Sequence, residues 1–193
     1  MADIVKEFKQ VEGCRNIHVA KRKIDGTYEV PIGVRGLAEI KTTDTFMEGT
    51  SIGDMRKMIS KKKKSGIDIA ITANELPAEV ESLLMGKKYV NGELVSNVDD
   101  NQSEVALLWE EVWSDGSSTY NIIYRTKLAR ESREGKGNSD KLDFQTISIN
   151  GSALALPNGD FDMNLDPSAT GVDANKVTNF FAAVQMPGVV VTP

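Results

Sequence analysis

The chain contains one cysteine and one histidine, the only pair in it that resembles a nucleophile and its base. Cys14 and His18 lie four residues apart, so in a β-strand their side chains would share a face. A cysteine nucleophile also needs a third group that orients the imidazole. No such group is evident near this pair. We therefore predict a reduced thiol packed in a strand, and we assign no catalytic residue.

Four aspartates, Asp99, Asp100, Asp160 and Asp162, are the candidates for a cation site. Zinc and redox metals need clustered histidine, cysteine or carboxylate ligands, which a chain with one His and one Cys cannot supply. A calcium loop alternates its oxygen ligands and closes on a glutamate, and this pattern is missing here. We predict solvated acidic turns, with no metal site and no cofactor.

Two further patterns only partly match enzyme motifs. Residues 33–36 (GVRG) are too short for a dinucleotide-binding glycine motif, and no phosphate-binding glycine loop ends in Lys-Ser or Lys-Thr. Glu110 and Glu111 are adjacent carboxylates, but neighbours in a strand face opposite sides and cannot flank one glycosidic bond. The sequence therefore predicts a protein that is not an enzyme.

Two groups of side chains could instead bind a partner. Residues 61–64 are four consecutive lysines, which could contact DNA or lipid but which we interpret as a solvated segment that limits edge-to-edge aggregation. Trp109 and Trp113 would share one face of a strand. Such a pair can stack on a sugar or pack in a core, and we favour the core.

Composition limits the remaining classes of function. With 193 residues and 40% hydrophobic content, the chain can form one buried core. A net charge of -5 argues against wrapping nucleic acid, and a single cysteine excludes an intramolecular disulfide. The N-terminus lacks a signal-peptide pattern, and no apolar run has the length of a membrane span. We expect a cytoplasmic protein unless a larger assembly exports it.

Alternating apolar residues predict strands at the start of the chain. Residues 14–24 (CRNIHVAKRKI) alternate and lead into Asp25 and Gly26, a strong turn signal before residues 28–30. Residues 33–43 alternate again, although glycines weaken the pattern.

The segment from 42 to 64 changes character. A strand over 43–47 is predicted to lead into a long excursion or a short helix, because several apolar residues recur at helical spacing. These residues are Met55, Met58 and Ile59, and a buried strand follows in which Ile67, Ile69 and Ile71 share a face.

The clearest helix signal covers residues 77–86. Pro77 suits a first helical position and Gly86 a C-terminal stop. The buried stripe of this helix comprises Val80, Leu83 and Leu84, and acidic Glu79 and Glu81 favour its N-terminal half.

The second half of the chain predicts a meander of antiparallel strands. A hairpin signal at Asn91 and Gly92 comes first, and residues 105–113 then pair with 120–124 across a polar turn. A third strand is predicted within 142–156. Residues 157–172 are turn-rich, and a helix over 174–184 follows with an apolar side of Val177, Phe180, Phe181 and Val184.

Four stretches, taken in order, resemble a known family. They are residues 71–86 (ITANELPAEVESLLMG), the meander from Val105 through Asp115 to Tyr120, residues 141–151 (KLDFQTISING), and residues 177–187. This order is similar to that of the major tail (tail tube) proteins of siphophages, especially phages of Gram-positive hosts. The resemblance covers about residues 14–187.

The resemblance implies a mainly β fold, with an antiparallel β-sandwich or barrel-like core, one flanking α-helix and a short C-terminal helix. One tail-tube domain would span 1–193, with an N-terminal arm over 1–13, an inter-subunit loop over 42–65 and a C-terminal extension over 157–193. The subunit interface assigned to the loop comprises Phe46, Met47, Ile52, Met55, Met58 and Ile59.

The function implied by the resemblance is structural. Subunits of this family self-assemble into stacked rings, usually hexameric, that form the conduit for DNA ejection. The implied partners are further copies, a tape-measure protein in the lumen, tail terminator and baseplate proteins at the ends, and DNA in transient passage, without a membrane. The protein would reside in the virion tail and, during assembly, in the host cytoplasm.

Two alternatives remain open at this point. One is another phage structural β-protein, such as a capsid decoration or baseplate protein. The other is a carbohydrate-binding β-sandwich module that uses Trp109 and Trp113.

Overall fold

The chain folds as an antiparallel β-structure with two short helices, which confirms the predicted mainly β fold. The computed structural model describes residues 8–53, 56–130, 132–133, 135, 137 and 144–187, with backbone alone at 52–53 and 56–58. Its elements are β1 (Val11–Lys21), β2 (Ile32–Gly33), β3 (Leu37–Gly53), β4 (Arg56–Ala73), α1 (Ala78–Met85), β5 (Lys88–Val90), β6 (Glu93–Val95), β7 (Val105–Trp113), β8 (Ser118–Ala129), β9 (Ile147–Ala153), β10 (Asp162–Leu165) and α2 (Ala174–Thr178).

Eight strands form one sheet in the order β2-β1-β7-β8-β9-β4-β3, with β10 beside β8. Strand β8 has two successive neighbours on one side. Its first half pairs with β10, and its second half pairs with β9. The change of neighbour coincides with Arg125, whose φ of 42° interrupts the extended backbone. Strands β5 and β6 form a separate hairpin.

The sheet has an apolar cluster on each face. Alternation along β7 places Val105, Leu107 and Trp109 in the inner cluster, and Ala106 and Leu108 in the outer one. Strand β1 packs beside β3, so the two ends of the sheet approach each other and the inner face encloses its cluster. The outer cluster is covered by the C-terminal segment.

The strongest sequence patterns match the structure. Ile67, Ile69 and Ile71 are buried together in the inner cluster, as their alternation predicts. Helix α1 packs Val80 and Leu84 into the same cluster and ends at Gly86, which has φ 69°. Pro77 is the N-cap of this helix and precedes its first turn.

Several predicted boundaries were wrong at the ends of the chain. The predicted arm over 1–13 includes Val11, where β1 already begins, and residues 1–7 lie outside the described part. After Asp25 only an isolated bridge, Arg22 to Tyr28, replaces the predicted second strand. The strand predicted over 142–156 is shorter in the described residues, where it is β9, Ile147–Ala153. Residues 142 and 143 lie outside the described residues.

The segment after residue 157 is part of the sheet, although we predicted an extension. It contributes β10, which the turn-rich sequence did not reveal. Helix α2 is five residues long and does not reach Val184, because Phe180 turns into the outer cluster, where it is fully buried. Among the described residues, no helix combines the length and apolar character needed to cross a membrane.

A buried carboxylate holds the irregular part of β1. Glu110 is 4% exposed and accepts hydrogen bonds from Arg15 (2.7 Å), Asn16 (2.6 Å) and Ser118 (2.6 Å). Asn16 has φ 55° and forms a bulge between Arg15 and His18. The hydrogen bond from Arg15 is the main cause that lowers the pKa of Glu110 below its ordinary value of 4.5.

This network predicts a pH-dependent stability. Because the pKa of Glu110 is lowered by folding, its contribution is present above the unfolded-state pKa and is lost as pH falls below 4.5. We expect Glu110→Gln to reduce the free energy of unfolding at pH 7 by about 1–2 kcal/mol. Urea unfolding from pH 7 to pH 3 should show the two proteins converging, and a gap that stays constant would contradict this assignment.

Candidate assembly surface

The strand predicted over 43–47 is confirmed as part of β3, but the long excursion or short helix predicted after it was wrong, because the described residues there continue as a β-hairpin. Strands β3 and β4 pair from Leu37 with Ala73 to Gly53 with Arg56. The helical spacing of apolar residues in β4 has no structural counterpart, because the backbone stays extended apart from two register shifts.

The far end of this hairpin has no other neighbour in the sheet among the described residues. Strand β9 pairs with β4 from Ile67 to Ala73, and within the described part of the chain no strand besides β4 pairs with β3. Residues 46–53 and 56–64, which we call the distal ribbon, are therefore two strands wide. An isolated two-stranded hairpin is at best marginally stable in water, so a longer-lived ribbon needs a further surface to pack on.

Apolar side chains on the distal ribbon face solvent. Phe46 is 45% exposed, Met47 63% and Ile59 55%. Of the other predicted interface residues, Ile52 and Met58 lie in the strands, but their side chains are not described, and Met55 lies outside the described residues. The hairpin thus brings Phe46, Met47 and Ile59 together on one projecting element.

The ribbon has two chemically different faces. Its inner face continues the face of the sheet that carries Ile67, because Asp44 pairs with Ile67 and Phe46 with Lys64. Lysines on this face have partners within the chain. Lys62 pairs with Glu48 at 3.2 Å and lies over the Phe46 ring, 4.5 Å from its centroid.

Lys64 lies on the inner face at the base of the ribbon, where it forms two ion pairs. Its ammonium lies 2.8 Å from Asp44 and 3.0 Å from Asp162 in β10. Burial opposes the charge on Lys64, but hydrogen bonds to both carboxylates outweigh it and raise the pKa of this group. The base of the ribbon is thus fixed to the sheet.

The outer face of the ribbon carries the opposite set of residues. Met47 pairs with Lys63, Gly49 with Lys61 and Ser51 with Ile59. Lys61 and Lys63 are exposed, and neither has a side-chain partner among the described residues. This outer face therefore presents two apolar side chains and two unpaired positive charges, a combination suited to an apolar surface with acidic edges.

The possible nucleophile and base lie on opposite faces of the sheet, so the prediction that they share a face was wrong. Cys14 packs against the inner cluster, whereas His18 stacks on Phe181 with ring centroids 4.9 Å apart. The bulge at Asn16 adds one residue between them and reverses the alternation. Burial raises the pKa of the Cys14 thiol, which disfavours the reactive thiolate.

The remaining candidate residues have structural partners. Trp109 is 5% exposed and lies in the inner cluster, as we favoured, while half-buried Trp113 donates a hydrogen bond to Thr119 (2.8 Å). Glu110 and Glu111 face opposite sides, as predicted, because Glu111 accepts from Trp109 on the inner side. Of the aspartates predicted in acidic turns, Asp100 accepts a hydrogen bond from Asn97 and Asp160 from Asn158. The prediction was wrong for Asp162, which begins β10 and forms an ion pair with Lys64.

Comparison with protein-family models gives no match for this chain, and comparison with curated proteins gives none either.

Proposed function

We propose that this chain is a structural virion protein, the major tail tube subunit of a long-tailed bacteriophage. The observation that supports the proposal is the distal ribbon, because Phe46, Met47 and Ile59 are exposed and, within the described part of the chain, no third strand pairs with it. Such a ribbon is explained if a neighbouring copy covers it. The order of sequence stretches resembles that of the tail tube family. From this resemblance we infer that the copies assemble into stacked rings.

In this assembly the subunits form rings that stack around a lumen, with the ribbon of one copy packed on another. Strand edges that are open in one subunit pair or pack between subunits, which removes sites for uncontrolled strand addition. The net charge of -5 favours free passage of DNA, since a wall of like charge repels a polyanion. No step of this function requires a catalytic residue or a cofactor.

The carbohydrate-binding alternative gains no support from the geometry. A sugar platform needs exposed aromatic rings, and Trp109 is buried in the inner cluster.

Electron microscopy of the purified full chain tests the proposal directly. We expect concentrated protein to form rings or tubes of one uniform bore. Particles that remain monomeric, or clumps without a bore, would contradict it. Caps or shells without a tube would instead favour a capsid decoration or baseplate protein.

A further inference from the structure

A second surface of the molecule matches the outer face of the distal ribbon. It is a groove of about 590 Å³ between the turn after β1 and the C-terminal segment. Its walls are largely apolar and include Tyr28, Val30, Leu156 and Met186. Val30 is 74% exposed and Met186 44%, so the groove is open to solvent.

The edges of this groove are acidic. Asp25 and Glu29 line it, and neither forms an ion pair among the described residues. Hydrogen bonds from Thr27 lower the pKa of Asp25, so this carboxylate stays ionised near neutral pH. Among the described lining residues the cation is Arg22, which is already paired with Glu104 at 3.1 Å. The unpaired charges of that lining, Asp25 and Glu29, are therefore both negative.

We propose that this groove receives the outer face of the distal ribbon of a second copy. Met47 and Ile59 would pack on the apolar walls, and Lys61 and Lys63 would face Asp25 and Glu29. Ribbon and groove are different surfaces of one chain, so the contact is head-to-tail and can continue from copy to copy. Such heterologous contacts generate rings or open helical arrays. The inference rests on the proposed function and identifies the partner surface of the ribbon.

A charge exchange tests the docking. Two double variants are compared with wild type: one carries Lys61→Glu and Lys63→Glu, and the other carries Asp25→Lys and Glu29→Lys. We expect each to reduce the assembled fraction at least tenfold in a pelleting assay. The protein that carries all four changes should recover assembly, because the attraction is restored with opposite signs. Normal assembly of either double variant would overturn the docking. So would failure of the protein with all four changes to assemble.

Cross-linking between copies gives a second readout that does not require tubes. In a Cys14→Ser background, one preparation carries Ile59→Cys and the other carries Val30→Cys. We expect mild oxidation of the mixture to give a disulfide-linked heterodimer. Val98→Cys is the matched control, since Val98 is 96% exposed and does not line the groove, and it should give no more product than random collision.

The two measurements separate the docking from the proposed function. Wild-type tubes without the Ile59–Val30 cross-link would overturn the groove assignment and leave the tail tube proposal intact. The cross-link without rings or tubes would support the docking and contradict the tail tube proposal. Absence of both would contradict both.

Discussion

Replacing residues 47–63 with Asn-Gly should abolish assembly while the subunit stays folded. Phe46 and Lys64 are directly paired, so a two-residue turn can close the shortened hairpin between them. The lost side chains that the structure describes, those of residues 47–51 and 59–63, are exposed, and we expect the free energy of unfolding to change by roughly 1 kcal/mol. Loss of the ribbon removes the proposed contact between copies, so the pelleted fraction should fall to background.

The deletion is limited to residues 47–63 so that the part of β3 that pairs with the core is kept. Removing 42–65 would also remove Thr42 and Asp44, which pair with Ile69 and Ile67 of the core. A suitable control exchanges one cross-strand pair, Thr50→Ser with Ser60→Thr, which keeps ribbon length and charge. This control should assemble normally. Tubes of wild-type bore from the shortened protein would rule out the ribbon as the contact between subunits.

Gly151→Ala should be the most destabilising single substitution among the glycines of the sheet. Gly151 pairs with Leu128 where β9 meets β8. A Cβ atom there would lie 2.0 Å from the Lys127 carbonyl oxygen and 2.9 Å from Leu128 Cδ2. Because the first of these atoms belongs to the backbone, the strands must move apart. We expect a loss of at least about 3 kcal/mol, measured by urea unfolding.

Gly13→Ala provides the matched control for this prediction. Gly13 also lies in a strand, but a Cβ atom at this position would meet nothing within 4 Å. We expect its free energy of unfolding to stay within about 1 kcal/mol of wild type, with a small gain allowed by reduced backbone entropy. Equal losses for both variants would show that close strand contact is not the reason for glycine at 151.

Elements were predicted correctly from the sequence where burial of one face requires apolar residues at a regular spacing. Ile67, Ile69 and Ile71 alternate because one face of β4 packs in the inner cluster. Helix α1 was predicted for the same reason, since Val80 and Leu84 are fixed against that cluster. Beyond Lys64, no other element of the described chain covers either face of the distal ribbon, so burial imposes no alternation there. The helical spacing of Met58 and Ile59 therefore misled the prediction, since both lie in β4.

Other features depend on contacts that no local pattern reveals. Asn16 and Arg125 adopt positive φ angles that reverse the faces of β1 and β8. Asn tolerates this conformation, but many asparagines do not adopt it, and Arg seldom does. Glu110 is buried because Arg15, distant in sequence, supplies a partner. The acidic groove is assembled from the turn after β1 and the C-terminal segment. Only the folded chain brings those segments together.

The width of the distal ribbon has a mechanical consequence. A two-stranded ribbon resists stretching along its strands but bends readily out of its plane, whereas the eight-stranded sheet that anchors it is braced by clusters on both faces. From Phe46 to Gly53 the ribbon spans roughly 23 Å at about 3.3 Å per residue. A filament whose subunits are connected by such ribbons would resist stretching but bend easily. The bending would occur at the contacts between subunits, while each subunit keeps its shape.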